Sequence, residues 1–274
     1  MTKHRFHLNE PNGLNGDHRC YERYVAIGDS STEGLDDPDG SGGYRGWADR
    51  LAERIARTQG SLLYANLGIR GRRTRRIREE QLDRALRMRP DLVTLFSGTN
   101  DVVSRSFDLN QVVVDIEYMH SALIEAGATV LTFTLPDLAP VMPMGHLVSA
   151  KVLALNQALR EISARTGAVL VDFAAHPVAS DPRLWSADRL HANSAGHARI
   201  AGALAHALDL PETDTSWSEP LPELPRRSAF ERLLAEAEWV GGYFLPWVWR
   251  HLQGRSSGDG VTAKRPELGP VEGS

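Results

Sequence analysis

The chain has 274 residues, 42% of them hydrophobic, enough to bury a full core in one or two domains. Acidic residues outnumber basic ones by 35 to 31, and a net charge of -4 offers no field to hold nucleic acid, leaving small molecules as the expected partners. A single cysteine, Cys20, excludes an internal disulfide and a cysteine zinc cluster and points to a reducing compartment, the cytoplasm.

Residues 1–21 are polar, lack the apolar stretch of a secretory signal, and read as a loose leader. Five short apolar runs follow, at residues 24–27, 62–67, 92–96, 129–134 and 168–173. Between them lie amphipathic stretches at 47–58, 74–87, 109–126, 149–166 and 194–208, with Gly127 and Gly167 placed to stop helices. This βαβ rhythm predicts a three-layer α/β/α sandwich over residues 22–210. Its sheet would have five parallel strands in the flavodoxin-like order 2-1-3-4-5. Residues 211–227, rich in Pro, read as a linker, 228–253 as an aromatic amphipathic segment, and 254–274 as a polar tail.

In such a sheet, ligands sit beyond the carboxyl ends of the strands. The first run ends in Gly28-Asp29-Ser30-Ser31, which is either an ordinary turn or a turn that presents the Ser30 hydroxyl. After the second comes Gly68, a plain turn glycine or a backbone donor; after the third comes Asn100, an Asx-turn residue or a neutral amide donor. After the fifth, Asp188 and His191 are spaced to meet within one loop, where the acid can fix the imidazole tautomer. His197 is the competing histidine, but it falls within the predicted last helix.

Gly28-Asp29-Ser30, Gly68, Gly98-Thr99-Asn100-Asp101 and Asp188 to His191 together resemble the four signature blocks of the SGNH/GDSL hydrolases, in order and at fitting intervals. The resemblance implies Ser30 as nucleophile, His191 as base and Asp188 as the triad acid. It also implies an oxyanion hole from Ser30, Gly68 and Asn100, and no metal or organic cofactor. The first block departs from the commonest form in having Ser31 where leucine is usual. Asp29 and Arg70 are further expected near the substrate. The implied activity is carboxylic ester hydrolysis of an esterase, lipase or lysophospholipase kind; a thioesterase and a carbohydrate O-deacetylase need the same groups. Outside enzymology, the alternative is an α/β binding module that holds a partner through its aromatic tail.

Arg70, Arg72, Arg73, Arg75, Arg76 and Arg78 either greet an anionic substrate or, as preferred, form a solvated face paired with Glu79 and Glu80. The loop at 137–146, with Met142 and Met144, can supply an apolar acyl pocket or simply a Pro-fixed connection. Residues 239–249 hold three tryptophans but are too short to span a bilayer, which takes ~20 residues. They are read as packing on the hydrolase domain, as a homodimer contact or, least favoured, as a membrane-interface anchor; the same stretch is also a candidate lid over Ser30.

Overall fold

The computed structural model describes residues 19–142, 145–223, 236–244 and 258–271. The leader up to residue 18, Met144, residues 224–235, and 245–257 with Trp247 and Trp249 lie outside the described residues.

Five strands, β1 (Arg23–Gly28), β2 (Leu63–Asn66), β3 (Leu92–Phe96), β4 (Thr129–Phe133) and β5 (Val169–Val171), are mostly apolar, as strands covered on both faces must be. They pair in parallel, with Val25 level with Ala65 and Val93, and Leu131 level with Thr94 and Val169. The sheet is mixed and six-stranded, however, in the order β5-β4-β3-β1-β2-β6. This corrects the expectation of a five-stranded parallel sheet.

The sixth strand, β6 (Arg265–Pro270), comes from the polar tail and runs antiparallel to β2, with Tyr64 facing Gly269 and a bulge before Asn66. Pro266 and Pro270 cannot donate to a ladder, so the segment belongs at an edge. Lys264 Nζ fixes it there, 3.0 Å from Asp49 Oδ2 and 2.7 Å from Arg45 O. The Arg265 guanidinium lies over the Tyr64 ring. All these partners are remote in sequence, so nothing local marks the strand.

The α-helices in chain order are α1 (Ser30–Glu33), α2 (Gly46–Gln59), α3 (Thr74–Ile77), α4 (Asp83–Arg87), α5 (Thr99–Val102), α6 (Leu109–Glu125), α7 (Ser149–Thr166) and α8 (Ser194–Ala207), and helices cover both faces of the sheet. One strand face, with Tyr24, Tyr64, Leu92 and Phe133, packs on Trp47, Leu51 and Ile55 of α2 (Gly46–Gln59) and Leu204 of α8 (Ser194–Ala207). Residues of α7 (Ser149–Thr166), notably Leu155 and Leu159, join that core. The opposite face, with Val25, Ile27, Leu67 and Val93, packs on Ile77, Leu82, and Met119 and Leu123 of α6 (Leu109–Glu125). Such alternation is the period-2 signature of a strand. Among the described residues no helix is long and apolar enough to cross a membrane.

Two buried histidines give the fold a pH dependence. Burial lowers the His120 pKa from 6.5 to about 4, and that of His197 similarly. The unfolded chain therefore binds protons that the folded chain refuses between those values. The stability from the neutral rings is complete above pH 6.5 and is lost as pH falls toward 4. The His120→Leu protein should accordingly lose less Tm than the natural chain between pH 6.5 and 4; equal losses would contradict this assignment.

Candidate active site

β1 ends at Gly28, whose N–H donates to Gln81 Oε1 and whose carbonyl accepts from Gln81 Nε2, both at 2.8 Å. A Cβ at Gly28 would come 2.5 Å from the Phe96 carbonyl oxygen, so only glycine lets the chain turn here against β3. Asp29 then caps the short helix α1 (Ser30–Glu33), its Oδ1 accepting from Ser31 N at 3.0 Å. Ser30 is thereby set at the carboxyl end of the sheet's central strands, 8% exposed.

The loop between β5 and α8 is closed by a bridge between Trp185 and Ala192, and Ser186 N donates to His191 O at 2.8 Å. Asn193 ties both ends, its Nδ2 donating to Arg183 O and Trp185 O while its Oδ1 caps α8. Within this loop Asp188 Oδ1 accepts from Ser186 Oγ, Leu190 N and His191 N. Its Oδ2 lies 2.6 Å from His191 Nδ1, and His191 Nε2 lies 2.8 Å from Ser30 Oγ. The three expected residues thus form one hydrogen-bonded line, a geometry able to move a proton from the hydroxyl to the imidazole.

The electrostatics follow from these contacts. Burial pulls the His191 pKa down, but the hydrogen bond and charge of Asp188, with Asp36 and Asp29 behind, outweigh it and hold the imidazole above its ordinary value. Burial would raise Asp188, yet its bonds to His191, Ser186 and Leu190 keep it well below the usual carboxylate range. Asp29, fully enclosed, is pushed up to about 7 by burial, against the pull of its bonds to Ser31 and Asn100.

Asn100, in the turn after β3, donates through Nδ2 to Asp29 Oδ2 and to Arg72 O, each at 3.1 Å. Asp29 therefore holds Asn100 beside Ser30. Gly68 is less free than expected. Its N–H donates to Asn66 Oδ1 at 3.0 Å, and a Cβ there would come 2.7 Å from Glu33 N, so it serves close packing. Gly71, with φ of 73°, stands next to the Arg72 carbonyl that Asn100 holds, and its N–H meets no acceptor among the described residues. Arg70 does not line the cavity beside Ser30. Its guanidinium pairs with Glu33 and lies over the Tyr44 ring. Of the other arginines, Arg75 pairs with Glu79, and Arg76 and Arg72 with Glu80, as expected, whereas Arg73 donates to Ser106 Oγ and Arg78 pairs with buried Asp115.

His197 is structural: its Nδ1 accepts from Trp47 N and its Nε2 donates to Leu35 O. The first tryptophan of the aromatic segment packs back on the loop that carries Asp188 and His191, Trp239 Nε1 donating to Asp188 O at 3.1 Å. Arg189, in the left-handed region at φ of 60°, lies over that ring and pairs with Glu236. Asp36, with φ of 66°, was invisible as a site residue in sequence; its Oδ2 is 3.8 Å from His191 Nδ1. Asp36, Asp188 and His191 bring potential metal-ligand atoms within 4.8 Å of one another, but the Nδ1–Asp188 hydrogen bond occupies the nitrogen an ion would need.

A cavity partly open to solvent adjoins Ser30 and His191. Its lining is largely apolar and includes Leu138 but not Met142.

Residues 26–199 match the model of the GDSL-like lipase/acylhydrolase family. No curated protein matches the chain. Among solved structures, the fold is similar to that of Axe2, an acetylxylan esterase from Geobacillus stearothermophilus, at 16% identity and a TM-score of 0.60, covering 71% of this chain and 97% of that one. It is also similar to LAE5, an alpha/beta hydrolase enzyme from the metagenome of Lake Arreo, Spain, at 22% identity and a TM-score of 0.58, covering 69% and 95%. TesA is similar at 22% identity and a TM-score of 0.58, covering 68% and 98%.

Proposed function

The chain belongs to the GDSL-like lipase/acylhydrolase family and is a carboxylic ester hydrolase, and from that premise we propose that it works through an acyl-enzyme on Ser30. The observation that carries this reading is the continuous line Ser30 Oγ, His191 Nε2, His191 Nδ1, Asp188 Oδ2 at 2.8 and 2.6 Å. Ser30 Oγ attacks the ester carbonyl carbon while its proton passes to His191 Nε2. The carbonyl C–O bond to the alcohol then breaks, and the alcohol leaves with that proton. Water attacks the acyl-Ser30 ester, gives a proton to His191, and the acid departs as Ser30 recovers its hydrogen.

The oxyanion formed in each half-reaction is met by the Ser30 N–H, by Asn100 Nδ2, which exchanges its Asp29 contact for the developing charge, and by the N–H of Gly71. Gly71 takes the place expected of Gly68 because its amide has no acceptor among the described residues while that of Gly68 does. Removing one such donor typically costs about 10²–10³ in kcat. Asn100→Ala should show that loss with KM little changed, and an unchanged kcat would remove Asn100 from the hole. The reading as a whole is tested on p-nitrophenyl esters, where a burst of p-nitrophenol equal to the enzyme concentration, or acylated protein seen by mass, is expected. Neither turnover nor acylation would overturn it.

Asp36 adds a second negative charge beside His191. Because that charge raises the imidazole pKa, Asp36→Asn should lower it, and the acid limb of the kcat/KM profile should move to lower pH. A limb that stays in place would show that Asp36 does not act on His191.

A further inference from the structure

The cavity beside Ser30 is lined by residues from the ends of successive strands. Phe96 ends β3, Phe133 ends β4 and Phe173 follows β5, and these strands lie in that order on one side of β1. All three rings line the cavity. They touch in sequence: Phe96 and Phe133 stack at 4.2 Å, Phe133 meets Phe173 edge-on at 5.3 Å, and Phe173 meets Trp217 edge-on at 5.7 Å. With strands ~4.8 Å apart, three intervals carry this floor roughly 14 Å from β1 before Trp217 is reached.

Trp217 comes from the Pro-rich stretch after α8, beyond the residues 26–199 that match the family. It is not loosely placed. Arg199 Nη1 donates to Trp217 O and Glu219 O, both at 2.7 Å, which clips the turn to α8. The same contacts engage Nη1 of Arg199, the one lysine or arginine in the lining. Asp29 and His191 are at the Ser30 end. Between the two ends the lining is the three rings with Leu135, Leu138, Val178 and Ala179, and at the far end Trp217 Nε1 is buried with no hydrogen-bond partner among the described residues.

We propose that the substrate is an ester of an unbranched apolar acid, whose acyl chain lies along Phe96, Phe133 and Phe173, and that Trp217 closes the far end and sets the longest chain accepted. This rests on acylation of Ser30, which fixes which end of the chain starts at β1. A chain that fills the floor is desolvated along its whole length, whereas acetate leaves the floor wet. Each buried methylene is worth about fourfold in kcat/KM at ~0.8 kcal/mol.

The test is kcat/KM for p-nitrophenyl esters from acetate to palmitate, with a parallel series of acetates of lengthening alcohols. The expected result is a climb of about fourfold per carbon along the acyl series, a break where the chain meets Trp217, and a flat alcohol series. Trp217→Ala should move the break to longer acids and raise the ratio of long-chain to short-chain kcat/KM. Ala179→Phe, at a small residue of the same lining, should move it to shorter ones and serves if Trp217→Ala does not fold. A flat acyl series, a break that neither variant moves, or a climb confined to the alcohol series would overturn the proposal. In each of those cases, activity lost in Ser30→Ala keeps the acyl-enzyme reading intact, and activity retained in Ser30→Ala removes both.

Discussion

Ser30→Ala is expected to lower kcat for ester hydrolysis on the order of 10⁶-fold while leaving the protein folded. The hydroxyl makes its hydrogen bond to His191 Nε2 at 2.8 Å, and the turn that carries it is held by other groups, namely Gln81 on Gly28 and Asp29 on the Ser31 amide. Removing one oxygen therefore deletes the nucleophile with little effect on packing. Groups that act as one unit lose activity together, so adding His191→Ala to Ser30→Ala should cost almost nothing more. Steady-state kinetics with a circular-dichroism melt measures both halves. A loss under tenfold, or two losses that multiply, would mean that Ser30 and His191 do not share a step.

Asp188→Asn should cost about 10⁴-fold in kcat, by reversing the imidazole rather than disturbing the loop. Asp188 Oδ1 accepts from Ser186 Oγ, Leu190 N and His191 N. In the variant those three donors keep the amide oxygen where Oδ1 was, which turns the NH2 toward His191 Nδ1. Nδ1 must then accept, its proton moves to Nε2, and Nε2 faces Ser30 as a donor that can take no proton. The natural carboxylate, held far below its ordinary range by His191 and the loop amides, does the opposite throughout the neutral range. A kcat within tenfold of the natural chain would show that another group, of which Asp36 at 3.8 Å is the nearest candidate, can orient the ring.

What the sequence made legible is what depends on neighbours along the chain. The parallel strands are apolar runs between helices of 3.6 periodicity; Ser30 and Asn100 stand just after two of them, and Asp188 and His191 in the connection from β5 to α8. His197 was separable from His191 for the same reason, since one lies in a helix and the other in the loop before it. What stayed hidden depends on partners far away. β6 is a polar, proline-containing segment whose strand character comes only from pairing with β2. Gly68 and Gly71 are three residues apart, and only the Asn66 side chain shows which amide is already taken. Asp36 is aimed at His191 by a left-handed backbone that no residue pattern announces. Trp217 sits in a stretch that composition marks as a linker, although its neighbour Phe173 ends an evident series with Phe96 and Phe133.

Of the aromatic segment, expected to be a core contact, a partner contact, a membrane-interface anchor or a lid, residues 236–244 are described. There Trp239 and Glu236 hold Asp188 and Arg189 from outside the loop that carries His191. The loop is therefore braced by chain that lies beyond the family match at 26–199.

The most direct test of Ser30 as the acylated residue is to treat the protein with a fluorophosphonate and map the adduct by peptide mass. The account predicts a single modified peptide carrying the group on Ser30, complete loss of ester turnover at one equivalent, and no labelling of Ser30→Ala. A protein that hydrolyses esters while its adduct lies on another residue, or that loses no activity once Ser30 is labelled, would contradict it.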